Sequence, residues 1–530
     1  MPPIETIEDK ETLRQVALLL QKENERLHER LEDLTKRLAL LTGTDAGKQL
    51  EIEIERLRVY MAKLQKVAFG KSSEKRPGAN SKPDSDKADK PPQTGHGPRE
   101  QKALPEVEEI VDVPDEEMTC DLCGKDLREW EGQYEESEEV TVIQRRFVRK
   151  KIKRKKARCT CGACVKTAPP LPKLIEGGRY SPEFAVEVAT QKYLDHLPLE
   201  RQVRIMAREG LKVDSQTLWD QIWALACLLE PVYDKLLIHV KSQRLLLADE
   251  TPIYLLKKGG KAKWYTWALA TADAVYFHVD PSRGAEVARR LLAGYHGTVI
   301  TDGYCVYVSL DKTPVEDADI LFANCWSHSR RKYVECEQYY PKEVEHILEL
   351  IRELYKIEEA APDPWTFEAG PAREAAAATR KQLRNELSRP IVESIGKWAT
   401  EQKLLPGSSL RVAIEYMNDH WKGLQVFLDD PYVPLDTNLV ERLIRAIAVG
   451  RKNFYGIKSE RGGKAAAILY SLCGTAKQVG VDPKAYLLAL TKAALDGSTF
   501  EKFLPRDLVP QDTEPPAALA ETEAQPAPSG

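Results

Sequence analysis

Residues 245–251 read Leu-Leu-Leu-Ala-Asp-Glu-Thr, and residues 298–304 read Thr-Val-Ile-Thr-Asp-Gly-Tyr. Each is a short apolar run ending in acid, the form of a buried strand closed by a carboxylate. A carboxylate at the end of a buried strand is costly unless it is paired or binds a cation. Two such strands side by side would bring Asp249 and Asp302 together. Like charges at that distance need a cation to stay ionised, and an oxygen-only site suits Mg²⁺. The third ligand has to come from elsewhere. Glu441 lies in Asp436-Thr-Asn438-Leu-Val-Glu441-Arg442-Leu-Ile-Arg445, a helical stretch with acids and bases along one face. Metal held by such a triad can activate water and stabilise the leaving oxygen of a phosphodiester. Taken singly, each acid has a plainer reading: Asp249 or Asp302 as a turn or cap residue, Glu441 as a surface salt-bridge partner.

Outward from these runs, strands are expected at 244–249, 263–270, 274–279, 298–302 and 319–324, with a helix near 284–293. Residues 330–430 read as mostly helical and charged, a further helix spans about 437–449, and 463–495 read as a helical pair. Upstream, three helices are expected at about 181–194, 198–209 and 215–240, with a turn at Gly210 and Ser215 as a cap. That segment fits a helix-turn-helix and fits a plain helical spacer equally. The expected fold class is multidomain α+β.

The N-terminal stretch carries Leu13, Leu20, Leu27, Leu34 and Leu41 seven apart, with Ala17, Asn24, Leu31 and Leu38 four residues on. This is the spacing of a two-stranded coiled-coil seam, and Asn24 on it would fix register and favour dimers. After a break at 42–47 the heptad resumes through Leu50, Ile54, Leu57, Met61 and Leu64. A hairpin of the two segments is the competing arrangement. Residues 70–104 are rich in Lys, Ser, Pro, Gly and Asp and bury too little to order themselves.

Five of the ten cysteines fall between 120 and 164. Cys120-Asp-Leu-Cys123-Gly is one half of a zinc knuckle, and Cys159-Thr-Cys161-Gly-Ala-Cys164 offers three thiols for two remaining places. Cys161 and Cys164 repeat the spacing of the first half, with Cys159 as the alternative ligand. Four thiolates make a closed, structural Zn²⁺ site; unmetallated thiols are the plainer reading. Between the halves, residues 145–158 read RRFVRKKIKRKKAR, ten of fourteen basic and none acidic. Arg145, Arg146, Arg149, Lys150, Lys151, Lys153, Arg154, Lys155, Lys156 and Arg158 repel one another unless a polyanion neutralises them, which points to nucleic-acid phosphates. A solvated basic strand is the bland alternative.

The net charge of −4 argues mildly against a DNA-binding protein, but the distribution of charge matters more than its sum. The polar, acidic N-terminus is no secretory signal, and no apolar run approaches the ~18 residues of a membrane span. A cytoplasmic protein associated with the nucleoid is expected.

Eight collinear blocks follow the coiled coil: FGKSSEK (69–75), CDLCG (120–124), KYLDHLPLERQVRIMAREG (192–210), LLADETPI (246–253), VITDGY (299–304), CWSHSRRKY (325–333), NLVERLIRAIAVGRKNF (438–454) and RGGKAAAILYSLCGTAKQVGVDPKAYL (461–487). In these blocks, over roughly residues 10–500, the chain resembles transposases of the insertion-sequence-66 family. The resemblance implies a DDE transposase with a ribonuclease-H-like catalytic core. Asp249, Asp302 and Glu441 match its three catalytic acids, holding Mg²⁺ or Mn²⁺. Cys325-Trp-Ser-His328 resembles a C-x-x-H signature between the second and third acids. Cys325, His328 and Asn438 are expected to support the site, against a plain packing role. Arg330, Arg331, Lys332, Arg442, Arg445, Arg451 and Lys452 are expected to face DNA, with surface salt bridges as the alternative for any one.

The resulting organisation is a coiled coil (9–68), a disordered linker (69–104), a zinc-binding domain (105–172) and a helical DNA-binding segment (180–240). The catalytic core (244–456) follows, with a helical insertion at about 331–430, then a C-terminal helical region (457–505) and a disordered tail (506–530). The expected partners are double-stranded DNA (terminal inverted repeats and target), a second copy or more of the chain, and accessory proteins of the same element. A transposase-derived regulator without catalysis, and a metal-dependent nuclease without strand transfer, share most of these features.

Overall fold

The computed structural model describes residues 147–158, 165–313, 315–405 and 407–509, preceded by Arg26, Arg30, residues 33–35 and Ile54. These six N-terminal positions are helical, and Ile54 is buried. The rest of the expected coiled coil, the linker and the tail from 510 lie outside the described residues.

A short antiparallel ribbon comes first, β1 (Lys156–Arg158) and β2 (Val165–Thr167), then helices α1 (Pro182–Tyr193), α2 (Leu199–Arg208) and α3 (Ser215–Lys241). The main sheet contains β3 (Leu245–Lys257), β4 (Gly260–Ala270), β5 (Val275–Asp280), β6 (His296–Thr301) and β7 (Asp319–Asn324). Helices α4 (Ala285–Leu292) and α5 (Cys305–Lys312) lie in its crossings. After α6 (Trp326–Val334) come α7 (Pro341–Ala360), α8 (Pro371–Leu383), a π-helical turn at Arg384–Ser388, α9 (Arg389–Glu401) and α10 (Ser409–Asp419). Two single turns, α11 (Trp421–Leu424) and α12 (Val426–Asp429), lead to α13 (Asn438–Phe454). The described chain closes with α14 (Glu460–Gln478), α15 (Pro483–Leu495) and α16 (Pro505–Leu508).

The sheet is mixed, in the order β5-β4-β3-β6-β7. β3, β4 and β5 form an antiparallel meander, whereas β6 runs parallel to both β3 and β7. The acid-ended run at 245–251 does not stop at Asp249 as its sequence suggests. β3 continues to Lys257 because β4 pairs with it throughout, from Leu247↔Ala270 to Lys257↔Gly260. The hairpin turns through Lys258 and Gly259, whose φ of +82° suits the tight reversal.

Helix α3 buries Leu218, Ile222, Leu225, Leu229, Val232 and Leu236, each fully. This 3–4 spacing makes one apolar stripe, and the stripe joins the same hydrophobic core as the sheet. The Tyr233 hydroxyl donates to the Phe277 carbonyl at 2.7 Å. The expected boundary near 240 therefore does not divide the packing. Nor does Ser215 cap α3: Asp214 does, its carboxylate accepting from the Thr217 N–H at 2.7 Å. A negative group there also meets the positive end of the helix dipole.

Helix α14 covers the outer edge of the sheet. An edge strand exposes unpaired backbone groups, and here Ser471 Oγ accepts from the Phe277 N–H (2.8 Å) and Thr475 Oγ1 from the Val275 N–H (3.1 Å). Gly474 permits the approach, since a Cβ there would lie 2.8 Å from Val275 Cγ1. Residues 506–509, assigned to a disordered tail from sequence, are ordered. Arg506 donates to the Val479 carbonyl (3.3 Å), and the Tyr486 hydroxyl holds the Phe503 carbonyl at 2.6 Å just ahead of them.

After α13 the chain is laid along β3. The Leu256 N–H donates to the Ile457 carbonyl and the Ile457 N–H to the Tyr254 carbonyl, both at 2.8 Å. Gly456, at φ +153°, makes this possible: a Cβ there would lie 2.0 Å from the Tyr254 carbonyl oxygen. Gly456→Ala should therefore destabilise the fold by about 2–4 kcal/mol, read as a lower denaturation midpoint in urea. An unchanged midpoint would show that the α13–β3 tie is dispensable.

Candidate active site

The parallel register of β3 and β6 ends at Leu247↔Ile300. Carried two residues further, it sets Asp249, the fifth residue of β3, opposite Asp302, the residue that follows the carboxyl end of β6. Neighbouring strands lie about 4.8 Å apart. Alternation along β3 then separates the two acids of its Asp-Glu pair. Asp249 shares a face with Ala268 and Phe277, and Glu250 shares the other with Trp267 and His278. Helix α13 is tied to β3 and carries Glu441 in its first turn.

Burial, then Asp302, then Glu250 push the Asp249 carboxyl up to about 7, with Glu441 adding to the effect. The Glu250 N–H, which donates to Asp249 Oδ1 at 2.7 Å, opposes the shift. The three sequence-predicted acids are thus brought within electrostatic reach of one another. The fourth acid, Glu250, is neutralised separately. Its fully buried carboxylate accepts from Arg283 Nε (2.9 Å) and Nη2 (2.6 Å), and the Tyr307 hydroxyl lies 3.4 Å away.

Cys325 and His328 border the same cluster. His328 Nε2 lies 3.8 Å from Glu441 Oε1. Burial works against its protonation, yet the Cys325 sulfur, Asp302 and Glu441 together hold the imidazole pKa above its ordinary value. Cys325 is buried. Burial alone would raise its thiol, but His328, Ser327 and Thr437 outweigh that and lower it. Thr437, which the sequence reading did not single out, links the two sides. Its N–H and hydroxyl both reach Cys325 Sγ at 3.3 Å, and the hydroxyl lies 3.4 Å from Glu441 Oε1. Asn438, expected to support the site, is exposed and holds Asp436 instead, Nδ2 to Oδ2 at 2.6 Å.

Two further residues come from the long helical stretch between β7 and α13. The Tyr416 hydroxyl donates to the Asp302 carbonyl at 2.6 Å, and His420 Nε2 lies 3.0 Å from the Gly303 carbonyl. His420 Nδ1 faces the Tyr416 carbonyl at 2.7 Å. Carbonyl oxygens only accept, so both ring contacts are hydrogen bonds at once only in the protonated imidazole. Gly303, at φ +83°, allows the clamp: a Cβ would lie 2.5 Å from His420 Nε2. The i, i+4 spacing of Tyr416, on α10, and His420, its C-terminal cap, turns both to one side, a signal in the sequence, but nothing local says what that side meets.

Of the expected DNA-facing residues, Arg330, Arg331, Arg442, Arg445 and Lys452 are exposed. Lys332 is half-buried, 3.9 Å from Glu335. Arg451 is half-buried and donates to the Pro252 carbonyl, so it ties α13 to β3. The side chains of Arg149, Lys150, Lys151, Lys153, Arg154, Lys155 and Lys156 are exposed along the approach to β1; Arg158 lies within β1. Arg145, Arg146 and the zinc candidates Cys120, Cys123, Cys159, Cys161 and Cys164 lie outside the described residues.

Among the described residues, no three His, Cys, Asp or Glu side chains are gathered closely enough to enclose a metal ion. The chemistry of the donor set nonetheless fits a hard divalent cation. A largely buried carboxyl faces two others, all donors are oxygen, and its strongest influences include no Lys or Arg. No helix among the described residues is long and apolar enough to cross a membrane.

Comparison with known proteins adds a family. The family described as "Transposase IS66 family" matches residues 177–465, more than half of the chain and all three acids. Uncharacterized protein y4jD of Sinorhizobium fredii is 32% identical over 418 residues, covering 75% of this chain and 78% of that protein. Uncharacterized protein y4qI of the same organism is 30% identical over 511 residues, covering 91% and 90%.

The Asp249 shift sets a pH dependence in metal-free protein. Its pKa is about 7 when folded, against an ordinary 3.8. Stability from the protonated carboxyl is therefore complete below about pH 4 and is lost as pH rises through 7. In EDTA, the Tm advantage of Asp249→Asn over wild type should grow between pH 5 and pH 8. A constant difference across that range would remove the like-charge account of the site.

Proposed function

The chain belongs to the IS66 transposase family, and on that premise we propose that it is a DNA transposase with a ribonuclease-H-like catalytic core at residues 244–456. The core would carry the helices of about 331–430 as an insertion. The observation that carries the reading is the register that sets Asp249 against Asp302, with burial first, then Asp302 and Glu250, and last Glu441 pushing the Asp249 carboxyl up to about 7. The sheet order β5-β4-β3-β6-β7, with acids at the ends of the parallel pairing, supports the fold assignment.

Asp249, Asp302 and Glu441 would hold Mg²⁺ or Mn²⁺. Such an ion, when bound, activates water and stabilises charge on the leaving oxygen of a phosphodiester. The protein's own groups do the rest. Asp302 is presented by the turn that Tyr416 and His420 grip from α10. Glu441 is oriented by Thr437 and flanked by His328, whose raised pKa favours a cation beside the acids. Arg442, Arg445 and Lys452 face solvent along α13, where they would meet phosphate oxygens. In-line attack by water, then by the freed 3′ hydroxyl on target DNA, requires no Ser or Tyr nucleophile.

In this reading the basic segment at 145–158 and the helices of 180–240 contact the terminal repeats. The heptads at 9–68 pair two copies for a reaction at two element ends. Cys120, Cys123 and two of Cys159, Cys161 and Cys164 form a structural Zn²⁺ site.

Transposition of a marked element with its natural ends, scored in cells, tests the reading. Asp249→Asn, Asp302→Asn and Glu441→Gln should each reduce insertions to background while the purified variants still bind end DNA. Wild-type activity in any one of them would sink the triad. Cleavage without joined products would identify a nuclease instead. Tyr416→Phe removes only the hydroxyl on the Asp302 turn. A neutral hydrogen bond contributes about 1 kcal/mol, so cleavage kcat should fall about 5-fold with KM unchanged and Tm lowered by no more than about 2–4 °C. A shift in KM alone would remove Tyr416 from the positioning role.

A further inference from the structure

The hairpin of β3 and β4 outruns the sheet that contains it. β6 pairs with β3 only through Leu245–Leu247, and β5 with β4 only from Tyr265 onward. Between Pro252 and Trp264 the two strands pair with each other, and among the described residues the backbone bridge that flanks them is Leu255↔Ile457. One face of this ribbon is anchored, with Ile253 and Leu255 buried. On the other face Tyr254 stands opposite Lys263 and Leu256 opposite Lys261. Lys261 Nζ lies 4.5 Å from the centroid of the Tyr254 ring.

The projecting part reads TPIYLLKKGGKAKW (251–264), and the segment beside it, the last turn of α13 and the residues that follow, reads GRKNFYGIK (450–458). Together they carry Lys257, Lys258, Lys261, Lys263, Arg451, Lys452 and Lys458 and no acid; the next carboxylate in sequence is Glu460. Lys257, Lys258, Lys261, Lys263, Lys452 and Lys458 are exposed. Lys192 stands against the helical part of this segment, its Nζ 4.0 Å from the Phe454 ring centroid. Burial, then Lys458, depress its pKa to about 8, as expected where positive charge gathers without a counter-charge.

We propose that this ribbon is a docking surface for the sugar-phosphate backbone of duplex DNA, held by Lys258, Lys261 and Lys263 with Lys458 alongside. The inference rests on the transposase reading and extends it to residues outside the catalytic cluster. Charge complementarity selects the occupant: an acid-free cationic ribbon fits a polyanion, and lysine meets phosphate as a point charge without reading bases. Eight residues of β3 separate Asp249 from Lys257, about 26 Å at ~3.3 Å per residue. A duplex cut at the acidic cluster and lying along the ribbon would meet its tip about eight base pairs from the scissile bond, at ~3.4 Å per pair.

The test is the salt dependence of binding to a fluorescent 40-base-pair duplex of arbitrary sequence, using the full chain. Each phosphate contact contributes about 0.9 to the slope of log K against log salt. Lys258→Ala/Lys261→Ala/Lys263→Ala should make that slope shallower by about 2.7. The control Lys342→Ala/Lys381→Ala/Lys502→Ala removes the same charge from exposed positions elsewhere and should leave the slope at the wild-type value. A wild-type slope in the ribbon variant overturns the proposal and leaves these lysines as guards of an exposed strand edge. Equal slope losses in both triples also overturn it, in favour of a diffuse net-charge effect. If wild-type protein binds no duplex at all, the transposase reading fails first and the ribbon with it.

Discussion

Two carboxylates set opposite each other by a parallel strand register are the constraint around which the rest of this molecule is arranged. Asp249 and Asp302 lie just past the end of the β3–β6 pairing, and Glu441 adds a third negative group from α13. Nothing in folding alone rewards that placement. Burying like charges together costs free energy until a cation offsets it, so the surrounding structure must hold the acids in place. The supports are correspondingly numerous and short-ranged.

Helix α13 is secured at both ends. At its C-terminal end, Gly456 lets the backbone bond to β3, and Arg451 donates to Pro252. At its N-terminal end, Thr437 reaches Cys325, while the Trp326 N–H donates to the Leu435 carbonyl (2.9 Å). The segment before Leu435 is fixed in turn by Arg384, whose side chain is wholly buried. Its five N–H groups are all used: two on Glu358 and one each on the Phe427, Asp430 and Val433 carbonyls. A buried guanidinium is tolerable only when fully satisfied in this way. The helices between β7 and α13 are therefore part of the site's support. Through Arg384 they set the entry to α13, and through Tyr416 and His420 they hold the turn that bears Asp302.

The two acids of the Asp-Glu pair have opposite fates for the same reason. Alternation sends Glu250 to the face with Trp267, where Arg283 and Tyr307 neutralise it. Asp249, one residue earlier, goes to the face shared with Ala268 and Phe277, where its leading electrostatic influences are Asp302, Glu250, Glu441 and the Glu250 N–H. Glu250 sits in an ion pair with Arg283, whereas the charged groups that most influence Asp249 are acids, though composition and local sequence treat the two alike.

The sequence by itself determined the elements whose signals are local. Apolar runs marked the strands, the helical stretches α1 to α3 and α13 to α15 were expected close to where they lie, Asp249 and Asp302 stood out as acids that close apolar runs, and Glu441 stood out in a helical stretch of acids and bases and through the family resemblance. Tertiary structure decided what depends on residues distant in the chain. It carried β3 on to Lys257, because its partner β4 has equal length, and it moved the α3 cap to Asp214. It also merged α3 with the sheet's core and turned Arg451 from a solvent-facing charge into a tie. Tyr416, His420, Thr437 and Arg384 were legible only as ordinary helix or cap residues. Their roles come from contacts across more than forty residues of chain, or, for Thr437, from a cysteine 112 positions away. Hydrophobic periodicity reports which face of an element is buried; it carries no information about which distant carbonyl or sulfur that face will meet.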